Sequence, residues 1–176
     1  WGFCLPHNQL LQLDKNDTYE VFIDASLDED GSMTVAEATL PGQSQEEILL
    51  STYICHPSLA SNELSGPLVT AFLYRQLKQL PNRKYTYRFL FAPETIGAIY
   101  NLSVKGEHWK QWLKAGYVVT CIGDDGKFTY KKSRHGNSLP DRAALTILEQ
   151  TEEAFNLLEF HPSGSDERQF CSPGFN

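Results

Sequence analysis

The sequence has no CxxC pair, no apolar run of 18 residues and no internal repeat, and it is short of positive charge. Without such an apolar run or a signal peptide, we expect no membrane association. The 15 Lys and Arg residues against 22 Asp and Glu give a net charge of −7, which argues against nucleic acid as a partner. Four cysteines without a pairing pattern predict a reduced, cytoplasmic protein, with Cys55 and Cys121 as buried free thiols.

The spacing of apolar residues predicts an α/β fold for most of the chain. With 176 residues, of which 41% are apolar, the sequence is long enough to bury the core of one domain. From residue 47, strand-like runs alternate with helical patterns, which predicts a central mixed, largely parallel sheet flanked by helices. The predicted strands are 48–54, 85–91, 117–122 and 128–131, and the predicted helices are 68–80, 95–102, a stretch around 109–113 and 141–157.

Residues 1–46 are predicted to form a small β unit ahead of an α/β core at 47–176. Tyr19–Ala25 has a strand-like composition, and Asp28–Ser32 is a turn signal. Met33–Leu40 is therefore predicted to pair back as the second arm of a hairpin.

Polar side chains follow three of the predicted strands, each at the strand's carboxyl end. His56, Asn62 and Glu63 follow the first strand, Glu94 the second and Asp124 the third. The carboxyl ends of parallel neighbours meet at one sheet edge, so we expect these groups to share a crevice. Imidazole, carboxylate and carboxamide groups suit a divalent metal such as zinc. Glu94 is placed to act as a general base on a metal-bound water.

Each of these residues also has a structural interpretation. Asp124 begins an Asp-Asp-Gly turn signal, and Asn62 could cap the helix that follows it. A single histidine after a strand often serves only as a hydrogen-bonding residue. Spacing alone therefore leaves both a metal site and a structural role open. The remaining histidines fall in polar loops and are taken as surface residues: His7, His108, His135 and His161.

Several longer motifs resemble one bacterial family. They occupy residues 56–66, 87–91, 93–97 and 164–174. They are similar to a family of aminopeptidase-like proteins related to the M28 zinc peptidases, a domain of unknown function linked with polysaccharide biosynthesis. The resemblance covers nearly the whole chain. It implies a phosphorylase/hydrolase-like α/β core of the zinc-peptidase type, with one or two zinc ions as cofactor.

The resemblance also implies roles for individual residues. His56 matches a zinc-ligating histidine, and Glu94 matches the general base. Asn62 stands where the family carries an Asp that bridges two zinc ions, and Asp124 best matches a later acidic ligand. The segment Ser165–Glu167 is similar to a Ser-Asp-His stretch and implies a structural or pocket-lining element.

Two positions depart from the family pattern. Asn62 is a poorer zinc ligand than a carboxylate and cannot bridge two ions, and Thr95 replaces the second of two consecutive acids. Glu63 is an alternative ligand after a one-residue shift, and Cys121 is an alternative for the later acid. The chain starts without Met, so we expect a piece of a longer protein, with the family's last metal ligand beyond it. The chain alone is then expected to hold metal weakly or not at all.

Two hypotheses for function follow. The first is a metal-dependent hydrolase of aminopeptidase type, acting on an amide bond of a peptide or small molecule. The second is a catalytically inactive aminopeptidase-like binding module associated with polysaccharide biosynthesis. Fold alone does not decide between them. Metal content does: two zinc ions favour the peptidase, one leaves a cyclase-like or amidase chemistry open, and none favours the module.

Overall fold

A computed structural model describes residues 5–56, 59–162 and 165–175, and the chain divides into two compact units after Ser32. The described part of the first unit contains one short helix, α1 (His7–Leu10), and its side chains are exposed. The turn predicted at 28–32 is confirmed, since the Gly31 N–H donates to the Asp28 carbonyl at 3.2 Å. The predicted hairpin is wrong: Tyr19–Ala25 forms no strand, because its expected partner pairs elsewhere.

The second unit is built on a four-stranded sheet in the order β1-β3-β2-β4. Its strands are β1 (Ala36–Leu40), β2 (Glu47–Tyr53), β3 (Thr86–Ala92) and β4 (Leu113–Val118). β2 pairs in parallel with β3 on one side and with β4 on the other, whereas β1 pairs antiparallel with β3. The predicted mixed, largely parallel sheet is confirmed. Because β1 belongs to this sheet, the structure divides the chain at Ser32 and Met33, whereas the sequence analysis divided it after residue 46.

Five helices accompany this sheet. They are α2 (Ala60–Glu63), α3 (Ser65–Gln79), α4 (Ile96–Trp112), α5 (Leu139–Leu148) and α6 (Asp166–Phe170). Successive strand residues point to opposite faces, so Leu49 and Leu90 meet Trp109 of α4, while Leu50 and Phe89 form a second cluster with Tyr74 and Leu77 of α3. The sheet is thus covered by helices on both faces. Within the described residues, no helix combines the length and apolarity needed to cross a bilayer.

Several predicted helices have different bounds in the structure. The two helices predicted at 95–102 and around 109–113 are one helix, α4, because its glycines are buried against neighbours and do not interrupt it. The helix predicted at 68–80 is α3, which buries Gly66 and Thr70, whereas Leu68 and Phe72 are exposed.

The helix predicted at 141–157 is shorter and begins earlier. Ser138 is its N-cap and Asp141 completes a capping box, and α5 ends at Leu148. The rest of the predicted helix holds β6 (Phe155–Leu158), which pairs in parallel with β5 (Phe128–Lys131) in a separate two-stranded sheet.

Candidate active site

The carboxyl ends of β2, β3 and β4 lie at the same edge of the sheet. Tyr53 at the end of β2 pairs with Ala92 at the end of β3, and the Ile54 N–H donates to the Ala92 carbonyl at 3.1 Å. On the other side of β2, the Val119 N–H donates to the Ser51 carbonyl at 2.8 Å. The loops that follow these strands therefore leave the sheet side by side, as the sequence predicted.

His56 is held by a buried carboxylate. Its Nδ1 atom lies 2.5 Å from Oε1 of Glu63, whose side chain is 5% exposed, against 46% for His56. The second oxygen of Glu63 accepts the Cys55 backbone N–H at 2.5 Å. Since a carboxylate only accepts, Nδ1 donates the proton, and Nε2 keeps its lone pair for a ligand. Glu63 is an alternative metal ligand in the sequence-based prediction. In the structure, its two oxygens instead accept hydrogen bonds from the His56 ring and the Cys55 backbone N–H.

The electrostatics of this pair follow from its geometry. The hydrogen bond to Glu63 raises the pKa of His56 above its ordinary value. Burial alone would raise the pKa of Glu63, but the hydrogen bonds from His56 and from backbone N–H groups hold it below its usual range. Glu63 is therefore an anion in the folded chain, and His56 lies beside a permanent negative charge.

Glu94 and Cys55 complete a cluster around His56. The Glu94 backbone N–H donates to Sγ of Cys55 at 3.4 Å, and this sulfur lies 3.3 Å from Nδ1 of His56. One potential ligand atom from each of Cys55, His56 and Glu94 lies within 4.8 Å of the other two. The structure therefore brings His56 and Glu94 together, and it adds Cys55, which sequence analysis assigned to the core. In the sequence, the adjacent Cys55-His56 pair at the end of a buried strand is the signal that could have identified Cys55 as a site residue.

The third loop contributes differently. Nδ2 of Asn62 donates to Sγ of Cys121 at 3.4 Å, so the structure brings these two residues together across the site. The Asp124 side chain is exposed and accepts the Gly126 N–H at 2.8 Å within a turn. Asp124 is not a member of the three-residue cluster around His56.

The predicted burial of two thiols is wrong. Cys55 and Cys121 are both free, as predicted, but both are exposed. The reason is where the strands end: β2 stops at Tyr53 and β4 at Val118, so each cysteine lies in the loop beyond its strand.

Thr95 has a strained backbone that a buried acid holds in place. Its φ is 63° and its ψ is −63°, which is unusual for a β-branched residue, and its N–H donates to Oδ1 of Asp166 at 2.7 Å. Asp166 is 1% exposed. Burial raises its pKa to about 6, the charges of Glu94 and Glu63 add to the effect, and the Thr95 N–H opposes it. Asp166 thus fixes the turn that begins α4 directly after Glu94.

The mixed sheet, the covering helices and the polar cluster at the strand ends define a peptidase-like α/β fold. Residues 6–176 match the model of the family described as "Domain of unknown function (DUF4910)", and the chain belongs to this family.

Two matches from Clostridium acetobutylicum agree with this family assignment. One is a "Putative polysaccharide biosynthesis protein with aminopeptidase-like domain", 46% identical over all 176 residues, of which the chain covers 40%. The other is a crystal structure of a "putative peptidase", with 46% identity and a TM-score of 0.83, covering the whole of this chain and 41% of that protein. The chain thus spans about two-fifths of the length of these relatives.

A more distant solved structure shares the fold. It is a glutaminyl cyclase from an Acidobacteriales bacterium, with a TM-score of 0.61 and 15% identity, covering 81% of this chain and 56% of that one. The expected family and fold class are therefore confirmed.

Proposed function

We propose that the protein is a metal-dependent hydrolase of aminopeptidase type that cleaves an amide bond in a peptide or a small molecule. The observation that carries the proposal is the clustering of potential ligand atoms from Cys55, His56 and Glu94 within 4.8 Å at the carboxyl edge of the sheet. Imidazole, carboxylate and thiolate donors fit zinc, which binds nitrogen, oxygen and sulfur. A divalent metal, when bound, polarises a carbonyl group and lowers the pKa of water.

Two residues of the cluster, His56 and Glu94, have a defined task in this proposal, and a third residue supports one of them. His56 binds the metal through Nε2, because Nδ1 is held by Glu63. Glu94 accepts the proton of the attacking water and passes it to the leaving amine. Asp166 positions this carboxylate indirectly, by holding the backbone of the next residue, Thr95.

Asn62 and Asp124 remain proposed as additional ligands, and their contacts define what ligation would require. Asn62 contacts Cys121 through Nδ2, which leaves its buried Oδ1 atom, without a hydrogen-bond partner, as the atom that would bind a metal. Asp124 accepts the Gly126 N–H through Oδ1, so its other oxygen would be the ligand. One zinc ion, bound mainly through the residues that follow β2, is the arrangement that the contacts favour.

The test compares a site residue with a matched carboxylate elsewhere. Hydrolysis of amino-acid anilides is measured with added Zn²⁺ for the wild-type full-length protein and for its Glu94→Gln and Glu107→Gln variants. Glu107 lies on α4 and is 91% exposed, paired only with Lys110. We expect metal-dependent hydrolysis that falls by about 100-fold or more in Glu94→Gln and is unchanged in Glu107→Gln.

Other results would favour the binding module. If no metal binds and no anilide is hydrolysed, the acids lost at Asn62 and Thr95 have removed the catalytic site, and the name of the Clostridium relative then points to polysaccharide biosynthesis as the setting. If Glu94→Gln and Glu107→Gln are equally active, a hydrolase remains but Glu94 is not its base.

A further inference from the structure

Cys55 lies beside His56 in the chain and beside Glu94 in space. β2 ends at Tyr53, and after Ile54 the next two residues carry the thiol and the imidazole into the loop. Parallel pairing of β2 with β3 places the start of the Glu94 loop next to them. Two neighbouring parallel strands therefore deliver a sulfur, a nitrogen and a carboxylate to one point of the sheet edge.

The separations suit metal coordination. Potential ligand atoms of Cys55, His56 and Glu94 lie within 4.8 Å of one another. Two ligands bonded to zinc at about 2.0–2.3 Å stand about 3.5 Å apart at the tetrahedral angle. Because Cys55 and His56 are exposed and Glu94 is only partly buried, side-chain rotation can close the remaining gap.

The surroundings of the Cys55 sulfur resemble those of a ligand. It is not in a disulfide, and it accepts a hydrogen bond from the Glu94 N–H at 3.4 Å. Its neighbour His56 is held by a buried carboxylate, the arrangement that orients a ligating histidine. Cys121, the other exposed thiol among the described residues, contacts the Asn62 amide and is outside the cluster.

We propose that Cys55 supplies a thiolate ligand to the divalent metal that His56 binds, so that the site contains sulfur as well as nitrogen. The proposal rests on the metal role given to His56 above, but not on hydrolysis. Binding transfers the thiol proton to solvent, and the sulfur then donates its electron pair to the metal. A thiolate ligand favours Zn²⁺, Co²⁺ or Cd²⁺ over Mg²⁺ and Ca²⁺, which prefer oxygen.

Cobalt provides a test that does not depend on activity. The full-length protein, not the 176-residue segment alone, is titrated with excess Co²⁺ under anaerobic conditions, while the sulfur-to-cobalt charge-transfer band in the near ultraviolet and the bound metal are measured. The variants are Cys55→Ser, Cys121→Ser and Glu94→Gln. We expect the band in the wild type, Cys121→Ser and Glu94→Gln and its loss in Cys55→Ser. Because even losing a group that only orients a ligand typically costs 10–100-fold in affinity, Co²⁺ binding to Cys55→Ser should weaken by at least about tenfold.

The possible results separate this proposal from the proposed function. Bound cobalt without a charge-transfer band in the wild type would overturn the thiolate ligand and leave the metal role of His56 intact. A band that survives in Cys55→Ser but disappears in Cys121→Ser would assign the sulfur to Cys121 and overturn the proposal. Absence of any bound cobalt would reject the metal site altogether. Circular dichroism tests whether Cys55→Ser is folded. If this variant is unfolded, Cys55→Ala is measured in the same way.

Discussion

Glu63 connects to two consecutive residues: its Oε1 atom lies 2.5 Å from Nδ1 of His56, and its Oε2 atom lies 2.5 Å from the backbone nitrogen of Cys55. It is the last residue of α2, seven positions beyond His56. One buried carboxylate therefore fixes both the backbone and the imidazole at the end of β2. The ring is oriented before any ligand arrives, which lowers the cost of binding one.

Removing this carboxylate should affect both folding and binding. In Glu63→Ala the partly buried Cys55 N–H loses its acceptor, so we expect a loss of about 1–3 kcal/mol in the free energy of unfolding. The freed imidazole should also bind Co²⁺ about 10–100-fold more weakly. Urea denaturation and metal titration measure the two effects, with Glu107→Ala as a control. Wild-type values for both quantities would show that Glu63 does not hold the loop.

Gly66 allows α3 to approach the end of β4 closely. A Cβ atom at this position would lie 2.2 Å from the Val119 carbonyl oxygen and 2.5 Å from Oγ1 of Thr52. The backbone of α3 and the backbone at Val119 cannot move apart without disturbing the sheet. Gly66→Ala should therefore lower the free energy of unfolding by about 1–3 kcal/mol or more. At Gly116, by contrast, an added Cβ meets Leu49 at an ordinary 3.6 Å. Thermal unfolding of Gly66→Ala and Gly116→Ala compares the two, and equal melting temperatures would contradict the close-packing argument.

The sheet could be predicted from the sequence because β2 is almost wholly buried and β3 has a largely apolar sequence. These runs identify the two strands, and parallel pairing then brings His56 and Glu94 to one edge. The prediction of an N-terminal hairpin is wrong because a β-like composition does not determine which strand a segment pairs with. β1 pairs with β3, about 50 residues further along the chain, a contact that no local pattern reports.

The details of the site were less accessible to sequence reasoning. The apolar run through Ile54 predicts Cys55 to be a core residue, yet β2 ends one residue earlier, at Tyr53. Whether Glu63 ligates a metal or supports a ligand depends on which way the short helix α2 turns its side chain. Such orientations follow from packing against the rest of the fold, not from residue spacing.

Asp141 illustrates a buried acid that stabilises the folded chain when ionised. It is fully buried, and its carboxylate accepts hydrogen bonds from both the hydroxyl and the backbone N–H of Ser133 and of Ser138. Burial alone would raise its pKa, but these hydrogen bonds lower it to about 2. The stabilisation is therefore present above the unfolded pKa near 4 and is lost as the pH falls through 2.

The test is the pH dependence of Asp141→Asn. At pH 7 we expect the variant to be less stable than the wild type by about 2 kcal/mol, the free energy equivalent to the pKa shift. This difference should shrink between about pH 4 and pH 2, as the wild-type carboxylate is protonated. Urea denaturation across this range measures it, with the exposed Asp125→Asn as control. A difference that does not depend on pH would assign the effect to packing.

Asp166 is a second buried acid, and its pKa moves in the opposite direction. Burial and the nearby charges of Glu94 and Glu63 raise the pKa to about 6, although the Thr95 N–H opposes the shift. Because the folded chain holds the proton more tightly than the unfolded chain, ionisation of Asp166 costs stability. The protonated form is favourable below the unfolded pKa near 4, and this advantage is lost as the pH rises through 6.

Asp166→Asn should therefore stabilise the chain at alkaline pH. The amide oxygen can still accept the Thr95 N–H while the buried charge is removed, so the variant should gain up to about 3 kcal/mol over the wild type at pH 8. At pH 4 the two should be nearly equal, since the wild-type carboxyl is then protonated. Asp166→Ala separates charge from hydrogen bonding: it also removes the charge, but it leaves the Thr95 N–H without this acceptor and should gain less. Denaturation at pH 4, 6 and 8 measures all three. If Asp166→Asn is less stable than the wild type at pH 8, the ionised carboxylate is required to hold the strained turn after Glu94. Its charge then stabilises the folded chain, contrary to the expectation that ionisation of Asp166 destabilises it.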